Sequence, residues 1–203
     1  MVDILDKRLL HPEEIRLAQE RCISKKSEGY SLEKPDAAWA ADYFCCSWMG
    51  RGGMSGTKDE FKQGVSIRYT SSGGSSVKRF RSAIESMGEW VECLKNWEFS
   101  CIDAMKFIDK SHDKDQHGIY ADPPWPEDGD RYSVVFTEED QRSLASKLSS
   151  LENSKVVVRY GDHPLIRELY KEDRWTWIEQ DSRSQSNDKV SEVLLLLRNR
   201  SLS

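Results

Sequence analysis

No Cys-x-x-Cys spacing occurs in this sequence, and its five cysteines, Cys22, Cys45, Cys46, Cys93 and Cys101, are odd in number. This argues against a disulfide framework and against a cysteine-based structural zinc site. The thiols read instead as small buried hydrophobes in a reducing cytosol. No apolar run approaches the roughly 20 residues of a membrane-spanning helix. The opening MVDILDKRLLHPEE lacks the charged-then-apolar layout of a signal peptide, so the expected location is cytoplasmic. No internal repeat is evident. Positive charge is not in excess either: the net charge is −5, which argues against a uniformly basic nucleic-acid binder.

The average conceals a local bias. Between Cys45 and Ser82 stand seven basic residues, Arg51, Lys58, Lys62, Arg68, Lys78, Arg79 and Arg81, against the acids Asp59 and Glu60. That stretch carries +5 and the remainder −10. A positive lobe on an acidic body can grip phosphates; a solvated charged face is the plainer alternative. The 203 residues, 37% hydrophobic with seven tryptophans, suffice for one domain with a real core, or one domain with an inserted lobe.

The residues predict helix over 9–24, where HPEE places a proline and two acids in the first turn. They predict a second, aromatic-rich helix over 36–49 capped by Asp36. The segment from Gly50 to Ser82 then holds seven of the twelve glycines and most of the basic cluster. It is too glycine-rich for a regular element and too long for an ordinary loop. Helix is expected again over 82–95. From Trp97 onward the pattern alternates: EFSCIDA as a short strand, GIYADPP as a strand, and a helix over 137–151 with Thr137 and Asp140 forming a capping box. KVVVRY follows as a buried strand, HPLIRELYKE as a helix, and WTWIEQDS and VSEVLLLLRN as two strands joined by a polar connection. This order predicts an α/β fold with a mostly parallel sheet.

The stretch ADPPW closes the GIYADPP strand. In an open α/β sheet ligands bind beyond the carboxyl ends of the strands, where Asp122 falls. Pro123 and Pro124 fix the backbone and remove two N–H donors, which leaves an acceptor-only surface: the Asp122 carboxylate and main-chain carbonyls, notably that of Pro123. Trp125 adds a flat apolar plane. Two acceptors beside a stacking plane suit the exocyclic amine of adenine or cytosine. Such an amine is a poor nucleophile until acceptors on its hydrogens draw it toward tetrahedral geometry. A strand ending in a Pro-Pro turn is the purely structural alternative.

The sequence resembles the Dam-type adenine-specific DNA methyltransferases. CSWMGRGGMSGT and SIRYTSSGGSSVKRFRSAIES resemble the middle segment of that family. IYADPPW resembles its catalytic motif, usually Asp-Pro-Pro-Tyr, with Trp125 in place of Tyr. RYSVVFTEEDQRSLASKL, VVVRYGDHPLIRELY and RSQSNDKVSEVLLL resemble the segments that follow. The match covers most of the chain from Ala38 to Arg198. It implies a Rossmann-like S-adenosylmethionine methyltransferase sheet with an inserted helical and loop target-recognition lobe, acting on the N6 amine of adenine in double-stranded DNA. The expected division is 1–30 as the N-terminal part of that fold, 31–96 as the recognition lobe and 97–203 as the catalytic α/β part. Asp122, Pro123, Pro124 and Trp125 take the catalytic positions. Asp103, on the strand expected before the motif, takes a cofactor-binding position. Arg51, Lys58, Arg68, Lys78, Arg79 and Arg81 fall in the recognition segment, and Arg131 and Tyr132 where the family meets the target strand. His163 fits the family pattern and equally a helix cap.

One departure is large. The family's opening strand and glycine loop, Phe-x-Gly-x-Gly, find no counterpart before the motif. MVDILD resembles the family's second strand, with Asp3 as the acid that holds the cofactor ribose. The sheet would then lack its first strand, leaving GIYADPP as an exposed edge. Three explanations fit: a fragment of a longer product, a second polypeptide that supplies the strand, or a cofactor-deficient DNA-binding remnant. Methylation of cytosine or of a glutamine side chain is the rival chemistry, although such enzymes more often carry Ser or Asn where Asp122 stands.

Overall fold

Several helices begin on a side-chain cap. In the computed structural model, which describes residues 1–29, 34–50, 57–65, 75–127, 129–183 and 189–198, His11 caps α2 (Pro12–Glu28) by accepting from the Glu13 amide at 3.1 Å. Asp36 caps α3 (Ala37–Met49) by accepting from the Trp39 amide at 2.9 Å. Thr137 and Asp140 form the expected capping box at the head of α7 (Glu138–Ser149), with reciprocal bonds of 3.2 and 2.8 Å. Each cap satisfies an amide that the first helical turn leaves unpaired.

The chain divides into two compact units, Met1–Phe99 and Ser100–Ser203. The first is helical: α1 (Val2–Leu5), α2, α3, α4 (Ser76–Glu85) and α5 (Met87–Leu94). Its core joins Leu5, Ile15, Ala18, Cys22, Cys45, Met49, Phe80 and Ile84. Asp42 is buried among these helices and receives Arg21 at 2.7 Å through both Nε and Nη2, and Arg8 at 3.0 Å. Two expectations are corrected. MVDILD is not a strand, since Val2–Leu5 is helical. Helix also begins at Ser76 rather than near Ser82, and breaks at Ser86 between α4 and α5. The cysteines divide: Cys22, Cys45 and Cys46 are core residues, whereas Cys93 and Cys101 are exposed, contrary to the reading of all five as buried.

The second unit holds α6 (Ala104–Lys110), β1 (Gly118–Ala121), α7, β2 (Lys155–Gly161), α8 (Pro164–Leu169), β3 (Trp175–Arg183) and β4 (Lys189–Leu197). The four strands form one sheet in the order β1-β2-β4-β3. β1 and β2 run parallel, with Ile119 opposite Val156. β2 with β4 and β3 with β4 run antiparallel. The sheet is therefore mixed, not mostly parallel. The connection between β3 and β4 is too short for the crossover of a dozen or more residues that a parallel pair needs. EFSCIDA forms no strand: residues 98–103 are irregular, and Phe99 is 73% exposed.

Alternation on the strands builds the core on one face. Val156, Val158 and Tyr160 of β2 and Val193, Leu195 and Leu197 of β4 pack with Ile108 of α6, Leu144 and Leu148 of α7 and Ile166 of α8. β1 lies at the sheet edge, as expected for GIYADPP, with Tyr120 63% exposed. Asp113 fastens the approaches to the two parallel strands. Its carboxylate accepts from the amides of Glu152, Asn153 and Ser154 at 2.8, 3.0 and 2.7 Å. Among the described residues, no helix is long and apolar enough to cross a membrane.

Candidate active site

β1 ends at Ala121, and Asp122 follows at its carboxyl end, where a parallel neighbour leaves a crevice. Asp122, Pro123 and Trp125 line an open cleft of about 210 Å³ together with Tyr132 and Arg159. The motif and Tyr132, ten or fewer positions apart in the sequence, line one cleft.

The ledge is held from beneath. Gln141 of α7, 1% exposed, donates through Nε2 to the Pro124 carbonyl at 2.7 Å. Its Oε1 in turn accepts from the hydroxyl of Tyr160, fully buried on β2. Burial pushes the Tyr160 phenol well above its ordinary pKa, so it remains a hydroxyl donor. The Pro124 carbonyl is therefore engaged inside the protein, which narrows the acceptor surface to Asp122 and the Pro123 carbonyl. The chain beyond folds back tightly: a Cβ at the buried Gly129 would lie 2.5 Å from the Phe136 carbonyl oxygen.

Trp125 stands between two clefts. Its far side borders a smaller one of about 120 Å³, lined by Pro126, Glu127, Gly161, Asp162, His163 and Ser191. A Cβ at Gly161 would come within 2.8 Å of Cε3 and 3.0 Å of Cζ3 of the indole, so the bare backbone of β2 is what lets the ring lie there.

A charged chain crosses the sheet beside the motif. Arg159 of β2 donates to Glu192 of β4 from Nε at 3.1 Å and Nη2 at 2.6 Å. Its Nη1 lies 3.3 Å from Oδ2 of Asp122. The Glu192 hydrogen bonds hold the guanidinium above its ordinary pKa, and the Asp122 charge adds to them. The guanidinium carbon is 5.8 Å from the centroid of the Trp125 ring, within cation–π reach. Sequence reasoning missed Arg159, Glu192, Gln141 and Gly161. The available signal was a charge set inside an otherwise apolar strand, at Arg159 in KVVVRY and at Glu192 in VSEVLLLL.

The remaining sequence-derived sites fall elsewhere. Asp103 does not sit on a strand; it caps α6 and accepts from the Lys106 amide at 3.0 Å. Asp3 lies on helix α1 of the other unit. His163 caps α8, its Nδ1 accepting from the Leu165 amide at 3.1 Å. Lys58 lies exposed in a turn, and Lys78 and Arg79 are exposed on α4. Arg81, also on α4, is turned inward and donates to the carbonyls of Asp6 and Arg8 at 3.0 and 2.6 Å. Arg131 ends a single 3-10 turn, Gly129–Arg131, just before Tyr132. Arg51 and Arg68 lie outside the described residues. Among the described residues no cluster of His, Cys, Asp or Glu is placed to hold a metal ion.

No curated protein matches the chain. A family model for D12 class N6 adenine-specific DNA methyltransferases matches residues 63–185, a span that contains Asp122, Trp125, Tyr132 and Arg159. With more than half its length matched, the chain belongs to the D12 class of N6 adenine-specific DNA methyltransferases.

Proposed function

We propose that the protein methylates the N6 amine of an adenine rotated out of double-stranded DNA, with S-adenosylmethionine as methyl donor and the motif Asp122–Trp125 receiving the base. The observation that carries this reading is the cleft at the end of β1, where Asp122, Pro123 and Trp125 meet over a ledge anchored by Gln141. Asp122 and the Pro123 carbonyl accept the two amine hydrogens. The amine nitrogen then pyramidalises, its lone pair turns outward, and the positive charge that develops on it faces a carboxylate. Trp125 offers a π-face to the extruded ring, as enzymes acting on bases require.

S-adenosylmethionine supplies an electrophilic methyl group when bound. The described residues do not fit a cradle for it: Asp103 is engaged as a helix cap, and Asp3 sits on a helix rather than at a strand end. No step is therefore assigned to either acid. The α/β unit is read as part of a Rossmann-like sheet, and 31–96 as the inserted recognition lobe. Lys58, Lys78 and Arg79, with Arg51 and Arg68, would meet phosphates there, and Arg131 and Tyr132 would meet the target strand. That gives a binding constant that falls steeply with salt.

The test is nucleoside mass analysis of unmethylated duplex DNA incubated with the protein and S-adenosylmethionine. N6-methyladenine is expected from the native chain and none from Asp122→Ala, with DNA binding retained in the variant. Full activity in Asp122→Ala, or methylcytosine as the product, overturns the assignment. That the described residues form no such cradle favours a second reading, a cofactor-deficient DNA-binding remnant. Calorimetry decides between them: salt-dependent DNA binding without any heat from S-adenosylmethionine selects the remnant.

A further inference from the structure

The cleft holds a cation that amine activation does not call for. A guanidinium beside Asp122 opposes the positive charge that the proposed reaction builds on the amine nitrogen. Glu192 offsets it, so that Asp122, Arg159 and Glu192 together carry a formal charge of −1. Charge balance alone would be met by placing neither Arg159 nor Glu192 there. The orientation of the guanidinium suggests a use for the pair.

Glu192 grips Arg159 side-on, one carboxylate oxygen on Nε and the other on Nη2. This fork geometry fixes the guanidinium plane. Nη1 is left as the edge that faces the cleft, 3.3 Å from Asp122 Oδ2, with the Trp125 ring alongside. Both groups reach solvent, the Arg159 side chain at 34% and that of Asp122 at 46%. The cleft therefore presents an acceptor and a donor side by side, next to a stacking plane. A single Asn or Gln amide reads adenine in this way, by pairing an acceptor with the amine and a donor with the ring nitrogen beside it.

We infer that Arg159 is a base-reading residue of this site: with Asp122 it forms an acceptor–donor pair that fits the amine and the adjoining ring nitrogen of the target adenine. The inference rests on the adenine reading above and extends it to specificity. On the edge that carries N1 of a purine or N3 of a pyrimidine, guanine and thymine present an oxygen acceptor beside an N–H donor, the reverse order, and leave both protein groups facing like partners; on the N7 edge guanine still sets its oxygen against the Asp122 carboxylate. Cytosine presents the same order as adenine on its N3 edge, so a pair that reads N1 does not separate those two. When the base enters, Nη1 exchanges the Asp122 oxygen for the ring nitrogen and Asp122 gains the amine hydrogen.

The experiment uses duplexes carrying the mapped target base as adenine, 1-deazaadenine or 7-deazaadenine, which keep the amine and replace one adjoining ring nitrogen by C–H. Native protein should lose about tenfold or more in kcat/KM with one of the two analogues. Arg159→Ser should be slower on adenine by a similar factor and treat adenine and that analogue alike to within about twofold. Glu192→Gln, which loosens the grip but keeps the arginine, should show an intermediate penalty. An unchanged thermal midpoint establishes that each variant is folded. The proposal is overturned if neither analogue is penalised in the native protein, or if Arg159→Ser suffers the same analogue penalty as the native protein. If the native protein places no methyl group on adenine, the function reading fails separately. The same analogues then decide as free nucleosides, read on the guanidinium nitrogen resonances. A shift of Arg159 with deoxyadenosine that one analogue abolishes supports the donor role, and no shift overturns it.

Discussion

In the helical unit the most consequential buried polar group is Asp42, 4% exposed; in the α/β unit it is Gln141, 1% exposed. Asp42 takes Arg21 from α2 and Arg8 from the chain just before it, and Arg8 also reaches Glu14. That knot closes on itself and fixes how α2 and α3 sit together. Gln141 faces two ways: its oxygen accepts from Tyr160 in the sheet, and its amide donates to Pro124 in the motif. The same device, a satisfied polar group in an apolar core, ties two helices in one unit and in the other stiffens the turn that carries Asp122 and Trp125. A buried polar group is costly unless fully paired, so each network is all-or-none.

Asp42→Ala puts the largest strain on this contrast. It leaves two guanidinium groups without their shared carboxylate and should lower the stability of the helical unit by about 2–3 kcal/mol. That is below the full cost of breaking a buried pair, because Arg21 reaches solvent. Urea unfolding measures it, and methyl transfer per folded molecule should not change. Gln141→Leu should cost about 2 kcal/mol, by stranding the Pro124 carbonyl and the Tyr160 hydroxyl. Here methyl transfer by the folded fraction should fall as well. If Gln141→Leu loses stability but keeps its kinetics, the two networks are alike in purpose and the contrast collapses.

The smallest effect sharpens the comparison by acidity. Partial burial alone would raise the carboxyl pKa of Asp113, but hydrogen bonds from the amides of Glu152, Ser154 and Asn153 and from the Ser154 hydroxyl together outweigh it and hold the carboxyl well below the ordinary range. A depressed folded pKa contributes stability that is complete above the unfolded value of about 3.9 and is lost as pH falls below it. Urea midpoints of the native chain should therefore drop between about pH 4 and pH 2 more steeply than those of Asp113→Asn. Equal slopes would remove Asp113 from the account.

Much of this was legible from local signals. Asp36, Thr137 with Asp140, and the Pro12 and Pro164 starts each declare themselves within a few residues, and the structure places caps at all of them. KVVVRY and GIYADPP read as strands because runs of β-branched and aromatic residues have few other uses. The misreadings share a cause. MVDILD and EFSCIDA are short apolar runs whose fate depends on finding a pairing partner, which no local pattern reports. Strand direction for β4 was likewise unreadable from hydrophobicity. At the site, Asp122 and Trp125 were visible because the prolines between them restrict the backbone. Arg159 and Glu192 were not, since their partnership spans 33 positions and exists only once β2 and β4 pair.

Trp125 and Gly161 carry a consequence for how such a chain can change over time. The benzo edge of the indole fills the space where a side chain at 161 would begin. The two positions are 36 apart in sequence yet constitute one decision about volume. A lineage that exchanges this tryptophan for the smaller tyrosine frees room on β2. A lineage that first acquires alanine at 161 must evict the indole. The order of substitution is thereby constrained: ring first, backbone second.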